Sequence, residues 1–382
     1  MERFEDQPLG ERPHLAVFSS TKVGNFVVLT PLLRGLKEKY PGAVLDFFGS
    51  EVTRGFEEAD PNIDFRHSLY GEADFLPAFL EALRRRREAY GPYDLAINCD
   101  EFAELNLVAV TALAPRYIAG AALAPGLTGK LPPGRRPEQR MLQDPDWNSP
   151  EFLQRYAEVL ETNYIAEIFC RMAYVRTDYF RLQLGSAPPS FVVPDVLLHV
   201  TTTRSAKMWL LAGWQRVADW CRQEGLSMGL IGSAPDRQRA LYHAGEDEDR
   251  LLEGGGIADL RGRTPLLELA GALERARALV TVDAGPLHVA AAVGCPTVAL
   301  FGNDEAGHGA SPLHLWAPRV AHVRVVRSRH QCRVCEENRF RNEGCLVAGH
   351  PCMRELSTED VLAALAAALA DGQGRSHRTR SP

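Results

Sequence analysis

Two short stretches of this chain carry the residue types that chemistry at a phosphate needs. One is Thr201-Thr202-Thr203-Arg204-Ser205-Ala206-Lys207, a run of hydroxyls followed by a lysine. The other is Asp283-Ala284-Gly285-Pro286-Leu287-His288. Hydroxyls, a lysine and the open N–H groups of a helix start meet the negative charge that develops on a diphosphate as a sugar–phosphate bond breaks. Gly285 lets backbone N–H groups face a ligand, and Pro286 suits a first helical position, where its missing N–H costs nothing. The positive end of that helix suits a phosphate, with His288 one turn in on the same mouth. Taken singly, a plain strand–turn–helix unit explains the second stretch and a surface lysine the first. Both follow apolar strands, and together they favour a site.

The elements that must position them come from an alternation that runs through the chain. After a polar start, His14–Phe18 reads as a strand, residues 19–25 as a glycine loop, and residues 26–40 as a helix with Leu29, Leu32, Leu33 and Leu36 at helical spacing. Strands at 43–48, 63–65, 93–98 and 116–118 follow, with helices over 75–89 and 101–113 between them. Residues 120–150 are rich in Gly and Pro and read as a long loop, of a kind that often borders a functional site. Residues 152–175 read as one helix. Residues 185–194, with Gly185, Pro188, Pro189 and Pro194, break the pattern and read as a linker. A second alternating series then spans 195–356 and includes the strand–turn–helix–strand unit around Asp283. A helix over 357–371 and a basic, Ser/Gly-rich tail at 372–382, expected to be disordered, close the chain. The expected architecture is α/β: two doubly wound domains, 1–184 and 195–356, with ligands at the carboxyl ends of the strands.

Composition bounds the function. The 382 residues exceed what one core usually serves, which argues for two domains. A net charge of -6 leaves no basic field for nucleic acid. No apolar run approaches the roughly 20 residues that span a bilayer, and the charged N-terminus lacks a signal-peptide core, so a cytoplasmic location is expected. The eight cysteines should then be thiols or metal ligands. Arg84 to Arg87 reads as a solvated helix end, and is the one short run that could serve a peripheral membrane contact.

Three stretches carry a resemblance. The segment Thr202-Thr203-Arg204-Ser205-Ala206-Lys207-Met208-Trp209 resembles the TTR-x-x-K-x-W segment of glycosyltransferase family 9, the lipopolysaccharide heptosyltransferases. The run from Asp283 through Gly285, Pro286, His288, Gly294 and Pro296 to Gly302 resembles that family's D-[ST]-G-P-x-H signature and its continuation. Lys22-Val23-Gly24-Asn25, continuing through Thr30, Pro31 and Arg34, is similar to its N-terminal K-x-G-D stretch. The resemblance implies a GT-B fold, two Rossmann-like domains facing each other across a cleft, with the donor on the C-terminal one and the acceptor on the N-terminal one. It implies inverting transfer of heptose from an ADP-activated donor without a metal cofactor. By position, Thr202, Thr203 and Lys207 would hold the diphosphate, Asp283 the sugar hydroxyls, and Gly285, Pro286 and His288 the phosphate mouth. Asp236 would meet the ribose, and Lys22, Gly24 and Asn25 would lie on the acceptor side.

One departure bears on catalysis. Where the family has an aspartate, the usual candidate for general base, this chain has Asn25, and an amide accepts no proton near neutral pH. Another carboxylate could act, with Asp100 and Glu101 the first choice; a basic acceptor such as an amine could supply its own base; or the chain could be a non-catalytic nucleotide-sugar binder or partner subunit. The sugar-containing acceptor is either lipopolysaccharide core or a soluble natural-product scaffold, and the oligomeric state is open. Finally, Cys332, Cys335, Cys345 and Cys352 form a cluster with C-x-x-C spacing, which suits either a small structural zinc site or reduced thiols. Cys99, Cys170, Cys221 and Cys295 are expected in the core.

Overall fold

A computed structural model describes residues 1–71, 76–100, 102–124, 126–141, 144, 146, 149–241 and 246–376. The chain forms two compact units, the first Met1–Leu184 and the second beginning at Gly185. Each is built on a six-stranded parallel sheet.

The first sheet comprises β1 (Glu2–Arg3), β2 (His14–Phe18), β3 (Val44–Ser50), β4 (Phe65–Tyr70), β5 (Leu95–Asn98) and β6 (Tyr117–Gly120), in the order β1-β6-β5-β2-β3-β4. The second comprises β7 (Val196–His199), β8 (Met228–Leu230), β9 (Ile257–Asp259), β10 (Ala278–Val282), β11 (Thr297–Phe301) and β12 (Val323–Arg327), in the order β12-β11-β10-β7-β8-β9. The central strands β2, β5, β7, β10 and β11 are buried along their whole length. That burial is why they read as unbroken apolar runs rather than alternating ones. In each sheet the strand order reverses once, between β2 and β5 and between β7 and β10. At such a switch point the loops leaving the two strands diverge and open a crevice at their carboxyl ends.

The second unit is capped by the helix Thr358–Ser376, which buries Val361, Leu365, Ala368 and Leu369 in a core shared with Val280, Val298, Trp209 and Trp214. This helix runs through Ser376, so residues 372–376 are helical rather than part of a disordered tail; residues 377–382 lie outside the described set. Residues 185–194 lie along the helix Leu266–Arg275: Ala187 N donates to Leu267 O at 2.9 Å and Ser190 N to Glu268 at 2.8 Å.

Other expectations are corrected. The helix expected over 152–175 is two, Pro150–Arg155 and Ile165–Met172. The break has a polar cause. Buried Glu167 reaches back to accept from Glu161 N (2.9 Å), Thr162 N (2.8 Å) and Thr162 Oγ1 (2.7 Å), which fixes a new helix start at Ile165. The helix after β5 begins at Glu104, past the expected start at 101, and β1 was hidden in the polar N-terminus. The arginine run divides. Arg84 and Arg85 pair with Glu81 on their exposed helix, whereas Arg86 reaches buried Asp46 (2.6 Å) and Arg87 donates to Leu113 O (2.9 Å). Phe75, at the expected helix start, is outside the described residues.

Candidate functional site

In the second unit the strand ends at the switch point bring the two phosphate-type stretches together. β7 runs into Thr201 and Thr202, both buried, and then a single 3-10 turn, Ser205–Lys207. β10 runs into Asp283 and the helix Gly285–Val293. Lys207 Nζ donates to Asp283 O (2.8 Å) and Oδ2 (3.0 Å), and Thr202 Oγ1 donates to Asp283 O (3.3 Å). Ser311 Oγ donates to the same Oδ2 at 2.8 Å. Burial by itself would raise the Asp283 carboxyl; the charge of Lys207, with the Ser311 and Lys207 hydrogen bonds, outweighs it and holds Asp283 below the usual carboxylate range. The result is an ion pair, with Asp283 buried and Lys207 half-buried, lying against the start of a helix.

That helix start has no side-chain cap. Its N-cap, Ala284, is extended and offers no side-chain acceptor, Pro286 stands in the first turn, and no acidic residue does. The first-turn amides therefore lack the side-chain cap that would normally satisfy them, and the dipole there is unopposed by a carboxylate in the first turn. Gly285 takes no positive φ. His288 is 3% exposed, its Nδ1 has no hydrogen-bond partner, and burial lowers its pKa to about 4. It is a neutral imidazole at pH 7 with an unspent polar atom, the kind of buried group that a ligand satisfies. Thr203 is exposed. Asp236 opens the short helix Pro235–Leu241, where its side chain is fully exposed and pairs with Arg239 at 3.3 Å.

Three contributors escape sequence reasoning. Ser311 lies in a loop with no motif of its own. Glu248, buried in an acidic run that resembles a solvated helix face, pairs with Arg261 (3.3 Å) and Gln238 (3.3 Å), and burial raises its carboxyl. Asn342 holds Arg204 from the cysteine segment.

In the first unit, the loops at the β2/β5 switch point are wired by neutral groups. Asn25 Nδ2 donates to Ser20 Oγ at 2.7 Å, and Lys22 N reaches the same oxygen at 3.4 Å. Lys22 is the N-cap of the helix Val23–Lys39, and Gly24 is buried in its first turn. Asn106 Nδ2 donates to Ser19 O (2.9 Å) and Asn98 Oδ1 (3.4 Å), so one buried amide ties the two strand ends together. Asn98 Nδ2 reaches Ala121 O at 2.8 Å. Gly120 allows this close packing: its φ is +82°, and a Cβ there would lie 2.1 Å from Asn98 O. The carboxylate in this setting is Asp100. Burial raises it above the ordinary value, opposed by the Phe102 and Ala103 amides and by the charge of Lys22. Glu101 lies outside the described residues.

The sequence left the cysteine segment open between a small zinc site and reduced thiols. Among the described residues no group of three or more His, Cys, Asp or Glu side chains could hold a metal ion. Cys335 and Cys352 are buried and Cys332 and Cys345 half-buried, all as free thiols. Burial, then the neighbouring Cys345, Cys335 and Cys332, push the Cys352 thiol up to about 12. Cys335 Sγ instead accepts from Asn342 Nδ2 at 3.3 Å. Cys170, Cys221 and Cys295 are core residues, while Cys99 is only half-buried at the end of β5.

Two Rossmann-type parallel sheets with a phosphate-type mouth on the second define the GT-B class of α/β proteins. Comparison with known proteins narrows this. Residues 172–343 match the model of glycosyltransferase family 9 (heptosyltransferase). Lipopolysaccharide heptosyltransferase 1 of Pseudomonas aeruginosa is 36% identical over 140 residues, 35% of this chain; the alignment spans only 37% of that protein's own length. Lipopolysaccharide heptosyltransferase 2 of Salmonella typhimurium is 25% identical over 84% of this chain and 90% of its own. In fold, the E. coli ADP-heptose lps heptosyltransferase II superposes with a TM-score of 0.60 at 18% identity, covering 94% of this chain and 99% of that one. The chain thus resembles glycosyltransferase family 9 in sequence over residues 172–343 and shares its fold along most of its length.

Proposed function

We propose that this protein transfers a heptose, or a closely related sugar, from an ADP-activated donor to an acceptor hydroxyl or amine, with inversion and without a metal cofactor. The observation that carries the proposal is the Lys207–Asp283 pair, joined by Thr202 and Ser311, beside an uncapped helix start with an unpartnered His288. In the transfer, the acceptor oxygen or nitrogen attacks the anomeric carbon as the bond from that carbon to the diphosphate oxygen breaks. Asp100, more basic than an ordinary carboxylate, takes the acceptor proton. The charge gathering on the departing ADP is met by Lys207, by the Thr202 and Thr203 hydroxyls and by the helix-start amides. Asp283 orients Lys207 and offers its carboxylate to the sugar hydroxyls. A relative named for lipopolysaccharide and one named for ADP-heptose support this donor and an acceptor of the lipopolysaccharide-core type, with a soluble sugar scaffold the other acceptor to try. No described helix is long and apolar enough to cross a membrane, and all eight cysteines are free, which fits work in a reducing cytoplasm.

A second proposal, a nucleotide-sugar-binding protein without turnover, draws on Asn25 alone, which donates a hydrogen bond where the family's base would accept a proton. Incubation with ADP-heptose and either acceptor class separates the two. Release of ADP with a glycosylated product of the expected mass, unaffected by a chelator, supports the transferase. Donor binding with no product from either acceptor, before and after Asn25→Asp, supports the binder.

A further inference from the structure

The cysteine segment makes a recurrent contact: it holds the backbone of the Thr201–Lys207 loop. Arg204 carries most of it. Its Nε donates to Asn342 O (2.8 Å), Nη2 to Asn342 Oδ1 (3.2 Å) and Nη1 to Ala310 O (3.0 Å), and its guanidinium lies 5.6 Å from the centre of the Phe340 ring. Ala206 is gripped from both sides, its N–H donating to Glu343 O (2.9 Å) and its carbonyl accepting from His350 Nε2 (2.8 Å). Asn342 is 7% exposed and fully engaged, for its Nδ2 also donates to Gly344 O (2.8 Å) and Cys335 Sγ (3.3 Å). Arg339, Phe340 and His350, none of them glycine, take φ of 51°, 53° and 50°. Non-glycine residues keep such angles where surrounding contacts over-determine them.

We propose that residues 328–354 act as a clamp that presets the diphosphate loop, with Arg204 and Asn342 as positioning residues. Neither needs to touch the donor. Their bond joins the loop to the segment whose Glu343 and His350 grip Ala206, and so places Lys207, the next residue, where its ammonium meets Asp283. A loop held in its binding geometry pays no ordering entropy when the diphosphate arrives, and preorganisation of this kind appears as affinity. The inference rests on the donor assignment above.

The test uses the full chain with ADP as probe. ADP is titrated by calorimetry into the wild type, Arg204→Ala, Asn342→Ala and the double variant, with hydrogen exchange read over residues 203–209. Each single change is expected to weaken ADP at least tenfold, the double no further than the worse single, with loss of protection at the Ala206 and Lys207 amides. With donor, KM should rise by the same factor while kcat stays within about threefold. Asn342→Asp, which keeps an acceptor for Arg204, should hold ADP within threefold of wild type, and it serves also where Asn342→Ala fails to fold. Wild-type affinity in folded Asn342→Ala, or weakened binding with amide protection unchanged, overturns the clamp. Absence of ADP binding by the wild type overturns the donor assignment itself and the clamp with it.

Discussion

The two switch points of this molecule occupy equivalent places in their sheets and are wired in opposite ways. Between β7 and β10 the loops are joined by a charge pair, Lys207 with Asp283. Between β2 and β5 they are joined by neutral amides and hydroxyls, Asn25 with Ser20 and Asn106 with Ser19 and Asn98. Topology thus supplies the crevice and leaves its electrostatics free. A site that receives a diphosphate needs a fixed cation and bare amides. On the proposed mechanism the neutral switch point receives a proton through Asp100, which burial raises against the Phe102 and Ala103 amides and the charge of Lys22.

The largest effect should come from breaking the charged switch point. Lys207→Ala removes the cation and leaves Asp283 buried and unpaired, a loss of about 3–5 kcal/mol for such pairs. ADP binding by calorimetry should fall more than a hundredfold, and affinity within threefold of wild type would remove Lys207 from the site. At the neutral switch point, Asp100→Asn should lower kcat by roughly 10²–10⁴-fold while ADP affinity stays within twofold. Asn25→Asp placed in that background should recover part of the lost rate by moving the base back to the family's position; recovery would show that the two positions are interchangeable.

A conformational test follows. Gly120→Ala forces a Cβ towards Asn98 O at a positive φ and should destabilise the first unit by about 2 kcal/mol in denaturant titration, without altering ADP affinity in the folded protein. An acid dependence should appear in the second unit. His199 and His288 are both lowered by burial to about 4. Each folded imidazole holds its proton less tightly than the unfolded one, so this contribution is complete above about pH 6.5 and is lost as the pH falls towards 4, on the order of 3 kcal/mol for each. His288→Phe should flatten that slope in thermal unfolding followed from pH 7 to pH 4.

Much of the frame was legible because parallel-sheet strands buried on both faces announce themselves as apolar runs, as ALVTV and TVALF do here. Thr202, Lys207 and Asp283 were legible because their residue types follow such strands directly. What escaped depends on distant partners. Ser311 meets Asp283 across 28 residues and Asn342 meets Arg204 across 138, and neither sits in a periodic pattern. Asp236 was named for its place after β8, and its exposed side chain pairs with Arg239. The cysteine spacing left metal open because C-x-x-C spacing is local, whereas a ligand geometry depends on how separate segments meet.

The most direct test of the donor assignment is a crystal structure with ADP-heptose bound. The account predicts the diphosphate against the Gly285–Val293 helix start, an oxygen within about 3 Å of Lys207 Nζ, and His288 Nδ1 facing the ligand. A diphosphate bound elsewhere in the protein, with the Lys207–Asp283 pair untouched, would contradict it.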